Sequence, residues 1–215
     1  MPARSTDLVA TVASMTLTRV LVVRHGQSTW NALGRWQGHA DAPLSDLGRS
    51  QAASAVGALP VVDAIWASDL ARAHGTAEII GAALGLPTRP DARFRERDAG
   101  DWTGLTRDEI EAGWPRYLAD HRRPNGFELD SAVLTRVLGE TAEVHREHPG
   151  EMVLIVSHGG VLRAMERYCN DVDRAFPNLG GRVFDLDGPP DELAITARHR
   201  LFLLPEDEAT YTTAP

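Results

Sequence analysis

Two short apolar runs that each end at a His-Gly pair constrain the fold of this chain more than any other feature. Residues 20–26 read Val-Leu-Val-Val-Arg-His-Gly, and residues 152–159 read Met-Val-Leu-Ile-Val-Ser-His-Gly. Such runs are typical of buried parallel strands. Because the carboxyl ends of parallel strands meet at one edge of a sheet, where ligands of open α/β sheets bind, His25 and His158 are expected at one site. Either run alone is equally compatible with a strand followed by a solvated charge and a turn.

The rest of the chain alternates between helical and strand-like patterns. Further strands are predicted at 61–67, 182–186 and 193–203, and helices at 46–59, 69–84, 106–112, 114–118, 129–148 and 159–168. This alternation predicts an α/β fold, with a mostly parallel central sheet covered by helices on both faces.

The pattern predicts one domain over residues 19–204, with a helical insertion at about 104–128 that folds over the active site. Residues 1–18 are rich in Ala, Ser and Thr and are expected to form a flexible tail, as are residues 205–215. Met15 stands just before the first strand, so translation could also begin there.

Composition excludes several classes of function. The 215 residues carry a net charge of -8 with no basic stretch, which argues against nucleic acid as a partner. No apolar run approaches the roughly 18 residues that a membrane span needs. A single cysteine, Cys169, permits neither an internal disulfide nor a cysteine-based metal site, so a reducing cytoplasm is the expected setting.

A third strand end adds an arginine to the two histidines. Arg72 falls in the first turn of the helix after the strand that ends at Ser68, and it should therefore face the same edge of the sheet as Arg24 and His25. Arginine forks and the amide groups of helix N-termini both bind phosphate oxygens. Together these groups predict a pocket for a dianion.

Five segments of the chain resemble, in order and with intact spacing, the signature motifs of the histidine phosphatase superfamily, the phosphoglycerate-mutase-like group. They are Arg-His-Gly-Gln-Ser-Thr-Trp-Asn at 24–31, Leu-Ser-x-x-Gly at 44–48, Ser-x-Leu-x-Arg-Ala-x-x-Thr-Ala at 68–77, Glu-x-x-x-Gly-x-Trp-x-Gly at 96–104, and Ser-His-Gly-Gly at 157–160. Each is weak alone, but five in register are a specific signal.

The resemblance implies a role for each matching position. His25 would be the nucleophile that becomes phosphohistidine, and Glu96 the general acid and then the general base. Arg24, Arg72 and His158 would hold the phosphoryl oxygens. The implied substrate-binding residues are Arg24, Asn31, Gln37, Gly38, Arg72, His158 and Gly159. Neither a metal nor a cofactor is implied, and the expected partner is a small-molecule phosphomonoester.

The resemblance covers both phosphatases and mutases. The resembled mutases carry a long insertion between the acid and the second histidine, whereas only about 60 residues separate Glu96 from His158 here. We therefore predict a metal-independent phosphomonoester hydrolase. A cofactor-dependent phosphoglycerate mutase, a phosphate-binding module without turnover, and a metal-dependent hydrolase with His25, His158 and Glu96 as ligands are the alternatives.

Other polar side chains receive structural interpretations. His145 and His148 are predicted to be solvated, and Arg122-Arg123 to form a solvated turn, with a role in holding a second substrate anion as the alternative. Glu128 is either a second pocket residue or a carboxylate at a helix N-terminus. The physiological substrate is not encoded in any motif, and a homodimer is left open.

Overall fold

A computed structural model describes residues 17–171, 175–205 and 210, so Met15 and most of the two predicted tails lie outside the described residues. The strands are β1 (Thr18–Arg24), β2 (Ala64–Ala67), β3 (Thr88–Pro90), β4 (Met152–Ser157), β5 (Gly180–Asp187) and β6 (Ala194–Phe202). They form one sheet in the order β3-β2-β4-β1-β5-β6. Strands β3, β2, β4 and β1 run parallel to one another. Strand β5 is antiparallel to β1, and β6 is antiparallel to β5. The predicted mostly parallel sheet is confirmed.

Six α-helices of the described part of the chain connect the strands, and short 3-10 turns lie at Val56–Ala58, Ala92–Phe94, Gly100–Trp102 and Pro190–Glu192. The helices are α1 (Thr29–Ala32), α2 (Asp46–Ala55), α3 (Ala71–Leu84), α4 (Arg107–Gly113), α5 (Asp130–Glu147) and α6 (Gly159–Tyr168). The Ser45 hydroxyl caps α2 by accepting from the Gly48 amide at 3.0 Å. Thr106 and Glu109 form the predicted capping box of α4.

Alternate residues of the central strands enter two separate cores. Val22 and Ile155 pack under α5 and α6, whereas Val23 and Val156 pack under α2 and α3. Burial on both faces explains why these strands read as continuous apolar runs rather than as alternating patterns.

The structure differs from the predicted elements in several places. β2 begins at Ala64 rather than at residue 61, since Val61 is 88% exposed and outside the sheet. β3 was not predicted, because a three-residue edge strand that ends in a proline has almost no sequence signal. Residues 114–118 form turns instead of a helix.

A third, smaller apolar cluster forms a cap above the cavity described below. Trp36 and Trp102 meet edge to face with ring centroids 5.1 Å apart, and Phe127 packs against both. Backbone hydrogen bonds join Trp36 to Leu105 and Gly104, so the loop after α1 and the inserted segment act as one unit. The predicted insertion therefore folds over the site, with α4 as its one helix among the described residues.

The prediction that His145 is solvated is wrong. Its ring is fully buried on the inner face of α5, with Nδ1 2.8 Å from Thr18 Oγ1 and Nε2 3.0 Å from the Gly188 carbonyl oxygen. His148 is also largely buried, 3.1 Å from the indole Nε1 of Trp66. Both rings tie the C-terminal end of α5 to the sheet, His145 through Thr18 of β1 and His148 through Trp66 of β2.

A carboxyl group is buried where α5 packs on the segment that precedes Glu96. Glu140 is fully buried, forms an ion pair with Arg93, and lies beside Asp91. Burial, followed by the charge of Asp91, raises the pKa of Glu140 to about 7, although Arg93 opposes the shift. The folded state therefore binds a proton at Glu140 more tightly than the unfolded state does.

The burial of Glu140 predicts that the effect of Glu140→Gln on the free energy of unfolding depends on pH. The stability that the protonated carboxyl contributes is fully present below its unfolded pKa and is lost as pH rises toward about 7. The free energy of unfolding of Glu140→Gln relative to wild type should therefore rise by about 1–2 kcal/mol between pH 5 and pH 8. Urea denaturation at the two pH values measures this difference in the free energy of unfolding, and Glu111→Gln on α4 is the surface control. A difference that does not change with pH would contradict the account.

Candidate active site

The register of the sheet brings the predicted strand ends together. Arg24 of β1 pairs with Ser157 of β4, and the backbone amide of His25 donates to the Ser157 carbonyl at 3.0 Å. The His25 and His158 rings consequently meet edge to face, with centroids 5.1 Å apart. On the other side of β4, the Ser68 amide donates to the Val156 carbonyl, which leads the chain into α3 and Arg72.

A cavity of about 600 Å³ opens at this edge of the sheet. His158 lies beside it, against His25. Eight predicted site residues line the cavity, namely Arg24, His25, Asn31, Gln37, Gly38, Arg72, Glu96 and Gly159. The geometry thus places all nine residues, which come from distant parts of the sequence, around one cavity.

His25 is fixed in one tautomer by its own backbone. Its Nδ1 lies 2.6 Å from the Gly26 carbonyl oxygen, which can only accept, so Nδ1 carries the hydrogen and Nε2 carries the lone pair. Burial, followed by the charges of Arg72 and Arg24, holds the pKa of His25 well below its ordinary value. The ring is therefore a neutral imidazole with a free lone pair at neutral pH, which is the nucleophilic form.

Arg24 and Arg72 are held rigidly by backbone carbonyl groups. Arg24 Nη1 donates to the Phe176 carbonyl at 2.7 Å, and Arg72 donates to the carbonyls of Gly38 (2.9 Å) and Ala40 (2.8 Å). Burial lowers the pKa of each guanidinium to about 10, so both stay charged at neutral pH. Two fixed cations beside a neutral imidazole make a site for an anion.

His158 contributes buried polar atoms that nothing in the described structure satisfies. Both of its ring nitrogens and Nε of Arg72 lack a hydrogen-bond partner among the described residues. Burial, then the charge of Arg72, holds the pKa of His158 well below its ordinary value. Since buried polar atoms are rarely left unpaired, these atoms fit an oxygen-rich ligand between them.

Glu96 enters the cavity from the loop before the cap. Its Oε1 accepts from the Arg97 amide at 2.8 Å, and its Oε2 accepts from the Gly160 amide at 3.2 Å at the start of α6. A Cβ on Gly160 would lie only 2.2 Å from Oε1, so this approach requires glycine. The carboxyl group is thereby kept near the helix that follows His158.

Arg136 of α5 holds the backbone that carries Glu96. It donates to the carbonyls of Arg95 (2.6 Å) and Glu96 (3.0 Å), and to the carboxylate of Glu128 at 2.8 and 2.9 Å. His39 Nε2 also lies 2.8 Å from the Glu96 carbonyl oxygen. Glu128 does not line the cavity. It lies directly before Leu129, the N-cap of α5, as one of its two interpretations predicted, and its carboxylate orients Arg136.

Two amide side chains are oriented by one serine. Ser28 donates from its backbone amide to Asn31 Oδ1 at 3.1 Å and from its hydroxyl to Gln37 Oε1 at 2.7 Å. Both amide oxygens are thus occupied, which leaves the two NH₂ groups as donors at the cavity wall. Gly38 has φ +49°, and a Cβ there would lie 2.6 Å from the Ala99 amide, so glycine is required beneath the cap.

Several cavity residues were missed by sequence reasoning. These are Arg35, Arg97, Phe127, Arg163 and Arg167. Arg122 and Arg123 are both exposed, as a solvated turn predicts, but Arg123 also lines the cavity, which is compatible with the alternative stated for this pair. A usable signal existed for two of them, since Arg163 and Arg167 are spaced four apart on the helix after His158 and so share one face.

Two other kinds of feature are absent from the described residues. Across residues 17–171 and 175–205, no group of three or more His, Cys, Asp and Glu side chains is arranged to hold a metal ion. Within the same ranges, no helix combines the length and the apolar character that crossing a membrane requires.

This fold and site define a class of protein. A neutral buried histidine at the carboxyl edge of a parallel sheet, with two buried arginines, a second histidine and a carboxyl group around it, is equipped to transfer phosphoryl groups.

Comparison with known proteins gives the family. A model of the histidine phosphatase superfamily (branch 1) matches residues 20–180. Glucosyl-3-phosphoglycerate phosphatase of Mycobacterium tuberculosis is 36% identical over 181 residues, which cover 76% of this chain and 80% of the relative. The solved structure of a mycobacterial glucosyl-3-phosphoglycerate phosphatase in complex with VO3 superimposes with a TM-score of 0.75 at 29% identity and covers 84% of this chain and 97% of that one.

Other relatives have different names. Phosphoserine phosphatase 1 of Hydrogenobacter thermophilus is 34% identical, and the match covers 71% of this chain and 75% of that phosphatase. A 2,3-bisphosphoglycerate-dependent phosphoglycerate mutase of a Methylobacterium species is 37% identical, and the match covers 68% of this chain and 78% of the mutase. The chain therefore belongs to the histidine phosphatase superfamily, whose members act through phosphohistidine and include metal-independent phosphatases and some mutases.

Proposed function

We propose that this protein hydrolyses small phosphomonoesters in two steps, with His25 as the nucleophile and Glu96 as the acid and base. The observation that carries the proposal is the state of His25, a neutral imidazole whose Nε2 lone pair is free between two buried arginines. The relatives named as phosphatases support hydrolysis as the overall reaction.

In the first step, Nε2 of His25 attacks phosphorus and the ester P–O bond breaks. Arg24, Arg72 and His158 hold the three equatorial oxygens, where charge develops in the transition state. The leaving alkoxide takes its proton from the carboxyl group of Glu96. The phosphorylated ring is positively charged, and its Nδ1–H remains bonded to the Gly26 carbonyl, which stabilises that charge.

In the second step, the Glu96 carboxylate takes a proton from water, which attacks phosphorus from the side that the alkoxide has left. The N–P bond breaks, inorganic phosphate forms, and His25 returns to its neutral state. The same carboxyl group serves both steps because leaving group and water occupy the same place in turn. The amides of Arg97 and Gly160 keep it there.

The rival functions lack specific support in the geometry. A mutase must hold its product for a second transfer away from water, whereas the inserted cap here contains a single short helix. A phosphate-binding module would not need Glu96 placed within reach of a leaving group. A setting in the cytoplasm, supported by the single free thiol of Cys169, and assembly as a homodimer both stay predictions.

The proposed function is tested by hydrolysis of p-nitrophenyl phosphate in excess EDTA. Wild type should hydrolyse this ester, whereas the kcat of His25→Ala should be at least about 10³-fold lower because the variant has no nucleophile. His74→Ala, a partly exposed histidine of α3 away from the cavity, is the matched control and should keep wild-type activity. Activity retained in His25→Ala, or lost from wild type with EDTA, would overturn the mechanism.

The role of Glu96 is tested by separating the two steps. In Glu96→Gln the amide can neither give nor take the proton. The p-nitrophenolate ion leaves without protonation, so the first step with this substrate should survive while the attack of water slows. Rapid mixing should show a burst of about one p-nitrophenol per enzyme, followed by slow turnover. Wild type, mixed in parallel, serves as the control. Equal slowing of the burst and the steady state would contradict the dual role.

A further inference from the structure

The peptide unit that joins Gly26 to Gln27 sets the tautomer of His25, since its carbonyl oxygen lies 2.6 Å from Nδ1. The other end of this peptide unit is also held, because the Gln27 amide donates to Gln51 Oε1 at 2.9 Å. Gln51 is almost fully buried on α2. The direction of the carbonyl group that orients the ring therefore depends on a side chain from another element.

The preceding peptide unit, which joins His25 to Gly26, is held at both ends as well. Its amide donates to the Thr76 hydroxyl oxygen at 3.1 Å, and its carbonyl accepts from Nδ2 of Asn178 at 2.8 Å. The Asn178 side chain is almost fully buried. Since β5 begins only at Gly180, its pairing with β1 ends before it reaches the His25 carbonyl. The Asn178 side chain supplies the hydrogen bond that a longer strand would have made there.

The turn before β5 has a strained backbone that faces the end of β1. Leu179 has φ +57°, a left-handed conformation that residues other than glycine rarely adopt. Its amide donates to the Arg24 carbonyl at 3.0 Å, whereas the Phe176 carbonyl accepts from the Arg24 side chain at 2.7 Å. Strain of this kind persists where surrounding contacts maintain it, and it is concentrated at functional sites. The turn therefore holds Asn178 beside His25, where β1 ends.

Thr210 links the two amide side chains. Its hydroxyl donates to Asn178 Oδ1 at 2.7 Å and accepts from Gln51 Nε2 at 3.1 Å, and its carbonyl accepts from the Asn178 backbone amide at 2.9 Å. The backbone at each end fixes these directions. The His25 carbonyl can only accept, so Asn178 presents its NH₂ group there, and the Gln27 amide can only donate, so it requires the side-chain oxygen of its partner. A hydroxyl, which both donates and accepts, satisfies the two ends that remain.

Loss of this link would act on the tautomer of His25. Without the Thr210 hydroxyl, each amide side chain can rotate away from the backbone that it holds. The Gly26 carbonyl is then no longer held toward Nδ1, and the ring can carry its hydrogen on Nε2 instead, because the tautomer of a histidine is set by the hydrogen bond of its other nitrogen. A ring protonated at Nε2 has no lone pair there with which to attack phosphorus.

We propose that Asn178, Gln51 and Thr210 form a positioning network that keeps His25 in its nucleophilic tautomer and Nε2 in line with phosphorus. All three lie in the described part of the chain and none of them lines the cavity, so they act on the reaction through the backbone of residues 25–27. The proposal rests on the proposed function, since it takes His25 as the nucleophile. It adds to the site a residue from the C-terminal end of the chain.

Thr210→Val tests the network with the smallest change, because valine has nearly the same shape but no hydroxyl. The kcat/KM for p-nitrophenyl phosphate, which reports the attack by His25, should fall about tenfold. The inhibition constant of inorganic phosphate should not change, since no group that contacts the anion is altered. Thr210→Ser keeps the hydroxyl and should restore most of the activity. Thr135→Val is the matched control, because the exposed Thr135 hydroxyl bonds to the Ser131 carbonyl of its own helix, and it should keep wild-type activity.

The tautomer itself is measured by nitrogen NMR of protein labelled in its histidine rings, near neutral pH, with the spectrum of His25→Ala identifying the His25 signals. Wild type should show a protonated Nδ1 and an unprotonated Nε2. Thr210→Val should show a substantial share of the opposite tautomer, as should Asn178→Asp, whose ionised carboxylate cannot donate to the His25 carbonyl. A residue that contributed only to stability would not change this signature.

The outcomes separate the network from the proposed function. If wild type hydrolyses the ester through His25 but Thr210→Val matches Thr135→Val in kcat/KM and in tautomer, the network is excluded while the proposed function stands. Lower activity with weaker phosphate inhibition and an unchanged tautomer would mean a distorted anion site, and would also overturn the network. If Asn178→Asp does not fold, the Thr210 variants decide. If wild type does not hydrolyse the ester, the proposed function fails, and the tautomer comparison still tests the network.

Discussion

The hydrogen bond between His25 Nδ1 and the Gly26 carbonyl is the interaction on which the chemistry of this site depends. At 2.6 Å, with an oxygen that can only accept, it sets the tautomer and points the lone pair of Nε2 away from the backbone. Burial and the two neighbouring arginines then keep the ring neutral. The two arginines that we propose as ligands of the phosphoryl oxygens therefore also add to the effect of burial in keeping the His25 ring deprotonated.

The strand register turns this local arrangement into a site. β1 and β4 end level with each other, so the two histidines come into contact without any loop having to bring them together. Glu96 has no such support, because it lies on a loop, and the structure compensates with α5. Arg136 binds the carbonyl groups around Glu96, while Glu140 is buried beneath the segment before it. The rigid sheet thus positions His25, and a helix positions Glu96.

The parts that the sequence predicts are those encoded locally. The apolar runs ending at His25 and His158 predict parallel strands, and parallel strands alone bring two residues 133 positions apart to one edge. The place of Arg123 at the cavity wall followed from the sequence only as an alternative, because a pair of adjacent arginines before a proline is typical of a solvated turn. Only the packing of Phe127 and Trp102 decides that one arginine enters the cavity while its neighbour stacks on Tyr117 outside. His145 was mispredicted for a related reason, since its burial depends on a partner on β1.

The central claim is that the phosphoryl group is transferred twice, first to His25 and then to water. Each in-line displacement inverts the configuration at phosphorus, so two displacements must retain it. The most direct measurement is therefore hydrolysis, in ¹⁷O-labelled water, of a phosphorothioate monoester made chiral at phosphorus with sulfur and ¹⁸O, followed by configurational analysis of the inorganic thiophosphate by phosphorus NMR. The structure predicts net retention. Net inversion would mean that water attacks the ester directly, and His25 would then be a binding group rather than the nucleophile.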